Sequence, residues 1–338
     1  MIAHLVESVP GRDKTVRCLA CAHRCVIPEG GHGRCSVRVN VAGHLLVPGG
    51  EVSALAADPV EKKPLYHFFP GATTLSFGME GCSFTCGFCQ NWRISQRARH
   101  DGLPKQTTPR TAEQIVTAAL RSGLTIITST YNEPLISSEW AVEIFTLARQ
   151  HGLKTAFVTN GFASPEAVDF LAPRLDAVNV DLKCFTEENY RSLGGRLAPV
   201  LETLDRLRER EKWVEVTTLV VPGFNDSDEE LTALARHLAQ WNPDAPWHVS
   251  AYHESYHYHA AAPRTPMETI TRAIAIGKAA GLRFVYSGNL PPGAEQADTF
   301  CPACGTVLIT RRGFTVTGDY LTDGACPNCG AEIPGVWR

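Results

Sequence analysis

Eleven of the twelve cysteines in this chain fall into three tight groups, and any fold it adopts must present those groups as metal-binding loops. They are Cys18, Cys21, Cys25 and Cys35, then Cys82, Cys86 and Cys89, then Cys301, Cys304, Cys326 and Cys329, with Cys184 by itself. Spread over 338 residues they are too dilute for a small disulfide scaffold. In a reducing compartment closely spaced thiols read as metal ligands, because thiolates bind soft metals and no oxidant maintains disulfides there. The net charge of -3 offers no general attraction to nucleic acid or to an anionic membrane. No run reaches the ~18 apolar residues of a membrane helix, and the opening stretch lacks the apolar core of a signal peptide. The expectation is a cytoplasmic chain with neither nucleic acid nor membrane as partner.

Between about residues 60 and 290, short β-branched runs alternate with longer amphipathic stretches, the pattern of β/α units around a parallel sheet. The spacing predicts strands over 74–77, 125–129, 155–159, 177–181, 214–221, 248–252 and 283–286. Helices are predicted over 111–121, 139–151, 165–171, 199–209, 228–240 and 266–280. Thr111 stands three residues before Gln114 and Ser227 three before Glu230, as capping residues do. Polar residues gather just after the strand ends, which suggests a partial (β/α) barrel with its active face there. Three domains are expected: an N-terminal four-Cys module over 1–55, the barrel over 56–294, and a C-terminal metal module over 295–338.

The middle cysteines lie directly after the first predicted strand, in Gly81-Cys82-Ser83-Phe84-Thr85-Cys86-Gly87-Phe88-Cys89-Gln90-Asn91-Trp92. Three thiolates from one loop can hold three irons of a [4Fe–4S] cube and leave the fourth iron open for chemistry. Zinc sites instead usually pair two C-x2-C turns. The C-x3-C-x2-C loop, with an aromatic before its last cysteine, resembles the signature of radical S-adenosylmethionine (SAM) enzymes. Asp58 through His67, Gly81 through Gln96, Val180-Asp181-Leu182-Lys183, 214–220 and Ile333-Pro334-Gly335-Val336-Trp337 resemble the AmmeMemoRadiSam-system radical SAM enzymes. That family is related to pyruvate formate-lyase activating enzymes, and the similarity covers nearly the whole chain.

The resemblance implies an α/β partial barrel of radical SAM type that cleaves SAM reductively and abstracts hydrogen from a substrate with the resulting 5′-deoxyadenosyl radical. It also implies an electron donor such as flavodoxin or ferredoxin. Residue by residue, Asn132-Glu133 corresponds to the segment holding the methionyl amino group, and Thr159-Asn160 and Asp181-Leu182-Lys183 to segments facing SAM's polar groups. Lys183 is the expected partner of the methionyl carboxylate. Asn225 and His253 would flank the ribose and adenine, with Phe88 near the adenine. Each also has a plain structural reading: Asp181 or Asn225 as a cap, His253 as a packed histidine.

The C-terminal pair Cys301-Pro302-Ala303-Cys304-Gly305 and Cys326-Pro327-Asn328-Cys329-Gly330 has the form of a zinc ribbon. So short a module, poor in apolar residues, needs its ion to fold. Cys18, Cys21, Cys25 and Cys35 satisfy either zinc or a second [4Fe–4S] cluster, and Gly30, Gly31 and Gly33 suggest a compact metal-folded module that puts zinc ahead.

Several positions depart from the family pattern. Cys184 replaces a small residue, Asn132 stands where Thr is common, and 251–259 is rich in His and Tyr. Leu290-Pro291-Pro292 is also altered. Cys184, His253 and Tyr256 are therefore the candidate catalytic residues, Cys184 as a hydrogen donor, radical trap or ligand, or else a packed core residue. The changes point to a small-molecule substrate of a biosynthetic pathway. The alternatives are a glycyl-radical activating enzyme acting on a partner protein, and a non-enzymatic zinc-dependent binding protein. A closed pocket lined by Tyr256, His257 and Cys184 would favour the small molecule, and an open site the protein target.

Overall fold

Each β-branched run becomes a strand of a largely parallel sheet. The strands are β1 (Thr73–Gly78), β2 (Ile126–Ser129), β3 (Lys154–Thr159), β4 (Ala177–Asp181), β5 (Trp213–Val220), β6 (Trp247–Ala251) and β7 (Val285–Gly288), and Ala54–Pro59 adds an eighth strand at the edge beside β1. The helices between them are α1 (Ala112–Arg121), α2 (Ser138–Gln150), α3 (Pro165–Leu171), α4 (Leu197–Glu209), α5 (Asp228–Trp241) and α6 (Met267–Ala279). This computed structural model describes residues 1–100, 106–259, 262–291, 293 and 296–337. The expected boundary at 294/295 and the altered Pro292 lie outside the described residues. The chain forms two units: Met1–Asp58, Thr73–Val178 and Arg191–Lys212 make the first, and Pro59–Ala72, Asn179–Tyr190 and Trp213–Arg338 the second.

In the first unit β2 lies between β1 and β3, parallel to both, with Ile126 opposite Thr74 and Lys154. All four residues of β2 are buried, as expected of a strand covered on both faces. Thr111 caps α1 in a complete capping box, its side chain accepting from Gln114 N–H and the Gln114 side chain accepting from Thr111 N–H. Ser164 caps α3 by accepting from Ala167 N–H, with Pro165 in the first turn, where its missing N–H costs nothing. The four-Cys segment forms a small antiparallel sheet of Val6–Ser8, Val16–Cys18 and Val26–Ile27, followed by the hairpin Val39–Val41 with His44–Leu46. Arg38 fastens this segment to α2. Its guanidinium, 1% exposed, forms a two-pronged ion pair with the fully buried Glu139 and donates to Ile136 O at 2.8 Å. Glu139 also accepts from the N–H groups of His4 and Leu5.

In the second unit β6 lies between β5 and β7, again parallel to both. Ser227 caps α5, but the Glu230 carboxylate turns away from a reciprocal box and accepts from Phe185 N–H and the Asn189 amide. The C-terminal residues form an antiparallel sheet of Thr299–Phe300, Val307–Arg312 and Thr315–Asp319. Its Leu308 and Ile309 share a core with Tyr66, Phe284 and Tyr286. Glu215, a buried carboxylate in the middle of β5, accepts from the N–H groups of Tyr66 and His67 and lies 2.6 Å from His248 Nε2. The final residues return to the same segment. Val336 N–H donates to His67 O at 2.7 Å, Phe69 N–H donates to Val336 O at 2.8 Å, and His67 Nδ1 lies 2.7 Å from Pro334 O.

Candidate active site

β1 delivers the chain into the loop that carries Cys82, Cys86 and Cys89, and side chains from later elements fix that loop. Asn132, just past the end of β2, accepts from Met79 N–H and donates to Gly81 O, both at 3.0 Å, so it grips the approach to Cys82 on both sides. Gly81 has φ +97°, and a methyl group there would lie 2.8 Å from Val37 and 3.1 Å from the Cys35 carbonyl oxygen. No other residue fits without displacing the four-Cys segment. Arg99 donates to Cys82 O at 2.5 Å and to Phe84 O at 3.3 Å, and Gln96 Nε2 donates to Phe84 O at 3.1 Å. Ser95 Oγ lies 3.1 Å from Cys89 Sγ, and Phe84 N–H donates to Cys82 Sγ at 3.4 Å.

Behind the loop, Glu133 accepts from Thr159 Oγ1 and Asn160 N–H, both at 2.7 Å, and from Leu135 N–H at 3.0 Å. Asn160 Nδ2 in turn donates to Ser83 Oγ at 2.9 Å. The strand-end residues Asn132, Glu133, Thr159 and Asn160 are thus brought together, as the sequence anticipates, and their side-chain bonds are spent on positioning one another and the cysteine loop. Burial pushes the Cys82 thiol well above its ordinary range, and the Glu133 carboxylate pushes the same way. A thiolate at Cys82 therefore needs a cation of its own, which bound iron provides. Cys86 and Phe88 are buried while Cys82 and Cys89 are partly exposed. Three thiols on one loop, steadied by Ser95 and Asn160 and open on one side, fit a cluster with one iron lacking a protein ligand.

In the second unit the Lys183 ammonium lies 2.9 Å from Asp181, both side chains partly exposed. Asn225 is 2% exposed, and its amide accepts from Val221 N–H and donates to Lys183 O at 2.6 Å and Leu219 O at 2.9 Å. It ties the loop after β5 to Lys183, the turn-capping role that is its plainer reading. Cys184 does not share the exposure of Lys183. It is 0% exposed and neighbours Tyr190, itself fully buried, whose hydroxyl accepts from Lys183 N–H. His253, His257 and His259 are exposed and Tyr256 is half-buried, its ring against His257 at 3.9 Å.

The sulfur atoms of Cys301, Cys304, Cys326 and Cys329 all lie within 4.8 Å of one another, with Cys301–Cys329 at 3.7 Å and Cys304–Cys326 at 3.6 Å. A tetrahedral ion bound at ~2.3 Å by four thiolates separates its sulfurs by about 3.8 Å, so this group already has the dimensions of a single-ion site. Sequence reasoning missed Arg99, which holds the cysteine loop from beyond it, and Ser83, the point within the loop that Asn160 grips. The only signal for them was their place within or beside the stretch from Gly81 to Gln96.

An uncharacterized protein of Methanocaldococcus jannaschii is 37% identical over 326 residues, which span 95% of this chain and 96% of that protein. Residues 77–235, which include the cysteine loop, Glu133 and Asn160, match the model of the radical SAM superfamily. The chain carries a radical SAM superfamily domain over residues 77–235. It is therefore an enzyme of a family that works with SAM, an iron–sulfur cluster and a reductant. Among other relatives, the isethionate sulfite-lyase activating enzyme of Desulfovibrio desulfuricans is 29% identical over 167 residues, 48% of this chain and 53% of that one. The pyruvate formate-lyase-activating enzyme of Listeria monocytogenes is 26% identical over 184 residues, 49% of this chain and 68% of that one. Among the described residues no helix is long and apolar enough to cross a membrane.

Proposed function

We propose that this radical SAM enzyme binds a [4Fe–4S] cluster through Cys82, Cys86 and Cys89 and uses SAM to abstract hydrogen from an exposed, polypeptide-sized substrate. The observation that carries the first half is the loop itself: three thiols, gripped by Asn132, Arg99 and Ser95 and backed by the Glu133–Thr159–Asn160 lattice. When bound, the cluster supplies the single electron that breaks SAM's bond between sulfur and the 5′ carbon. The chain's own contribution is to hold that loop rigid and to offer polar groups to SAM. Lys183 is assigned to the methionyl carboxylate and Asp181 to a ribose or amino donor, with His253 near the nucleoside and Phe88 packing beside the adenine. A flavodoxin or ferredoxin is the expected reductant.

The substrate reading turns on the segment after β6. A small molecule of a biosynthetic pathway would be expected in an enclosed pocket, whereas His253, His257 and His259 are exposed and Cys184 is buried away from solvent. The exposure of those histidines, together with the similarity to lyase-activating enzymes, supports the glycyl-radical-type activation of a partner protein over the small-molecule reading. Membership of the AmmeMemoRadiSam-system enzymes is supported by the motifs around Asp58 and Ile333. Zinc is assigned to Cys301, Cys304, Cys326 and Cys329 on their sulfur spacing.

Anaerobic reconstitution tests the core of this reading. The native chain is expected to form 5′-deoxyadenosine from SAM when reduced, and replacing Cys82, Cys86 and Cys89 together with Ala is expected to abolish it. SAM cleavage that survives the triple replacement refutes the assignment.

A further inference from the structure

The N-terminal cysteines are not spaced like the C-terminal ones. Among the described residues, the C-terminal four are the one set of three or more Cys, His, Asp or Glu whose ligand atoms all fall within 4.8 Å. The Cys25 and Cys35 sulfurs come together beside Gly33, 3.8 and 3.6 Å from the place a methyl group would occupy on it, and Cys18 N–H donates to Cys25 O at 2.9 Å, so the four cysteines share one small module whose sulfurs do not all lie within 4.8 Å of one another. Their spread is wider than one tetrahedral ion allows, since that ion brings its sulfurs to about 3.8 Å. A cube of four irons and four sulfides fills such a spread, because each thiolate then binds a different iron.

The surroundings agree. Cys18, Cys21 and Cys35 are buried. Arg38 Nη1 lies 3.7 Å from Cys18 Sγ, and Arg34 N–H donates to Cys25 Sγ at 3.4 Å. Donors aimed at the ligand sulfurs are one of the levers that raise a cluster's potential and make it reducible.

This group is also stitched to the catalytic loop. His23, between Cys21 and Cys25, has its Nε2 3.0 Å from the carbonyl of Ser83, the residue after Cys82. Arg99 donates to Arg34 O at 2.6 Å and to Cys82 O at 2.5 Å, so a single guanidinium bridges the two loops. The Cys35 carbonyl sits against Gly81. An electron carrier needs a short connection of this kind.

We propose that Cys18, Cys21, Cys25 and Cys35 ligate a second [4Fe–4S] cluster, which accepts electrons one at a time from a low-potential donor protein and passes them to the cluster at Cys82, Cys86 and Cys89. The balance is simple: the donor is oxidised by one electron, the N-terminal cluster is reduced from its 2+ to its 1+ state, and it returns to 2+ as the electron moves on. No bond forms or breaks and no proton moves. The relay half rests on the function proposed above, while the metal assignment stands on the sulfur spacing together with the burial of the cysteines and the donors aimed at their sulfurs.

The test begins with the native full-length chain, reconstituted anaerobically with 57Fe and assayed for iron, sulfide and zinc. About eight irons and eight sulfides per chain, with about one zinc, are expected. The variant with Cys82, Cys86 and Cys89 replaced by Ala should keep about four irons, and on reduction give an electron paramagnetic resonance signal that SAM does not alter. About four irons in the native chain, all lost in that triple variant, overturns the second cluster and leaves the proposed function standing. About four irons that all survive the triple replacement overturns the catalytic assignment instead. For the relay, Cys18→Ala combined with Cys21→Ala should lower the ratio of flavodoxin-driven to dithionite-driven 5′-deoxyadenosine formation at least tenfold. An unchanged ratio overturns it. Should that double variant fail to fold, the native iron count and the triple variant still decide the metal assignment, and Arg99→Met, which cuts the bridge while leaving all ligands in place, reads the relay through the same ratio.

Discussion

Replacing Glu139 with Gln should loosen the four-Cys segment far more than breaking a similar ion pair a few residues away. Arg38 and Glu139 are 1% and 0% exposed, so removing one charge leaves the other buried without compensation, at a cost of about 3–5 kcal/mol. Gln keeps an oxygen for the His4 and Leu5 N–H groups, so the loss isolates the charge. The comparison pair is Arg24–Glu166, whose side chains are 38% and 42% exposed, and Glu166→Gln should cost at most about 1 kcal/mol. Native-state hydrogen exchange reads the opening directly at the amides of Cys18 and Leu19, which are bonded to Cys25 O and Leu5 O. At about 1.4 kcal/mol per factor of ten, Glu139→Gln should speed their exchange roughly a hundredfold to a few thousandfold, and Glu166→Gln less than tenfold. Replacing both partners, as Arg38→Met with Glu139→Gln, should recover much of the protection, because no lone charge remains and the His4 and Leu5 N–H groups keep their acceptor. The reasoning is refuted if Glu139→Gln accelerates exchange by less than tenfold, or by no more than Glu166→Gln.

Burial drives the His67 imidazole down to about 4, against an ordinary value near 6.5, although Glu215 pulls the other way. Between those values the unfolded chain binds the extra proton, so stability should fall by roughly 3 kcal/mol as the pH drops from 6.5 to 4. A urea midpoint that stays flat over that window contradicts this. Gly81→Ala should cut SAM cleavage at least tenfold, because its methyl group meets Val37 and the Cys35 carbonyl; activity within twofold of the native chain would mean the loop tolerates the displacement. Cys304→Ser should remove about one zinc per chain and lower the melting temperature while iron content is retained, and metal analysis that finds zinc unchanged would rule out the C-terminal assignment.

The sequence was most legible where local patterns are long. The seven strands fall close to their predicted places, and Thr111 forms the box that Gln114 foretold. β7 slipped by two residues, to Val285–Gly288, because the run of apolar residues from Leu282 hides where pairing with β6 begins. The N-terminal strands of two or three residues were missed, since so short a run shows no periodicity. At the site, the cysteines and the strand-end residues could be named in advance. Their geometry could not, because it depends on pairs far apart in the chain, such as Asn132 with Gly81 and Arg99 with Arg34. Asn225 shows the same limit: the family resemblance implies a nucleoside contact, while the tie its amide makes between two loops depends on residues that no local pattern brings together.

The return of residues 334–336 to His67 and Phe69 sets a clock on biosynthesis. The segment before β1 emerges from the ribosome early, yet the backbone groups of His67 and Phe69 meet their partners only when Val336 has been made. At ordinary translation rates that wait is roughly 15 to 50 s. During it, the Tyr66–His67 face that later packs on Phe284 and Tyr286 is uncovered, a period in which a chaperone has something to hold. An affinity tag fused directly after Arg338 would burden the same closure.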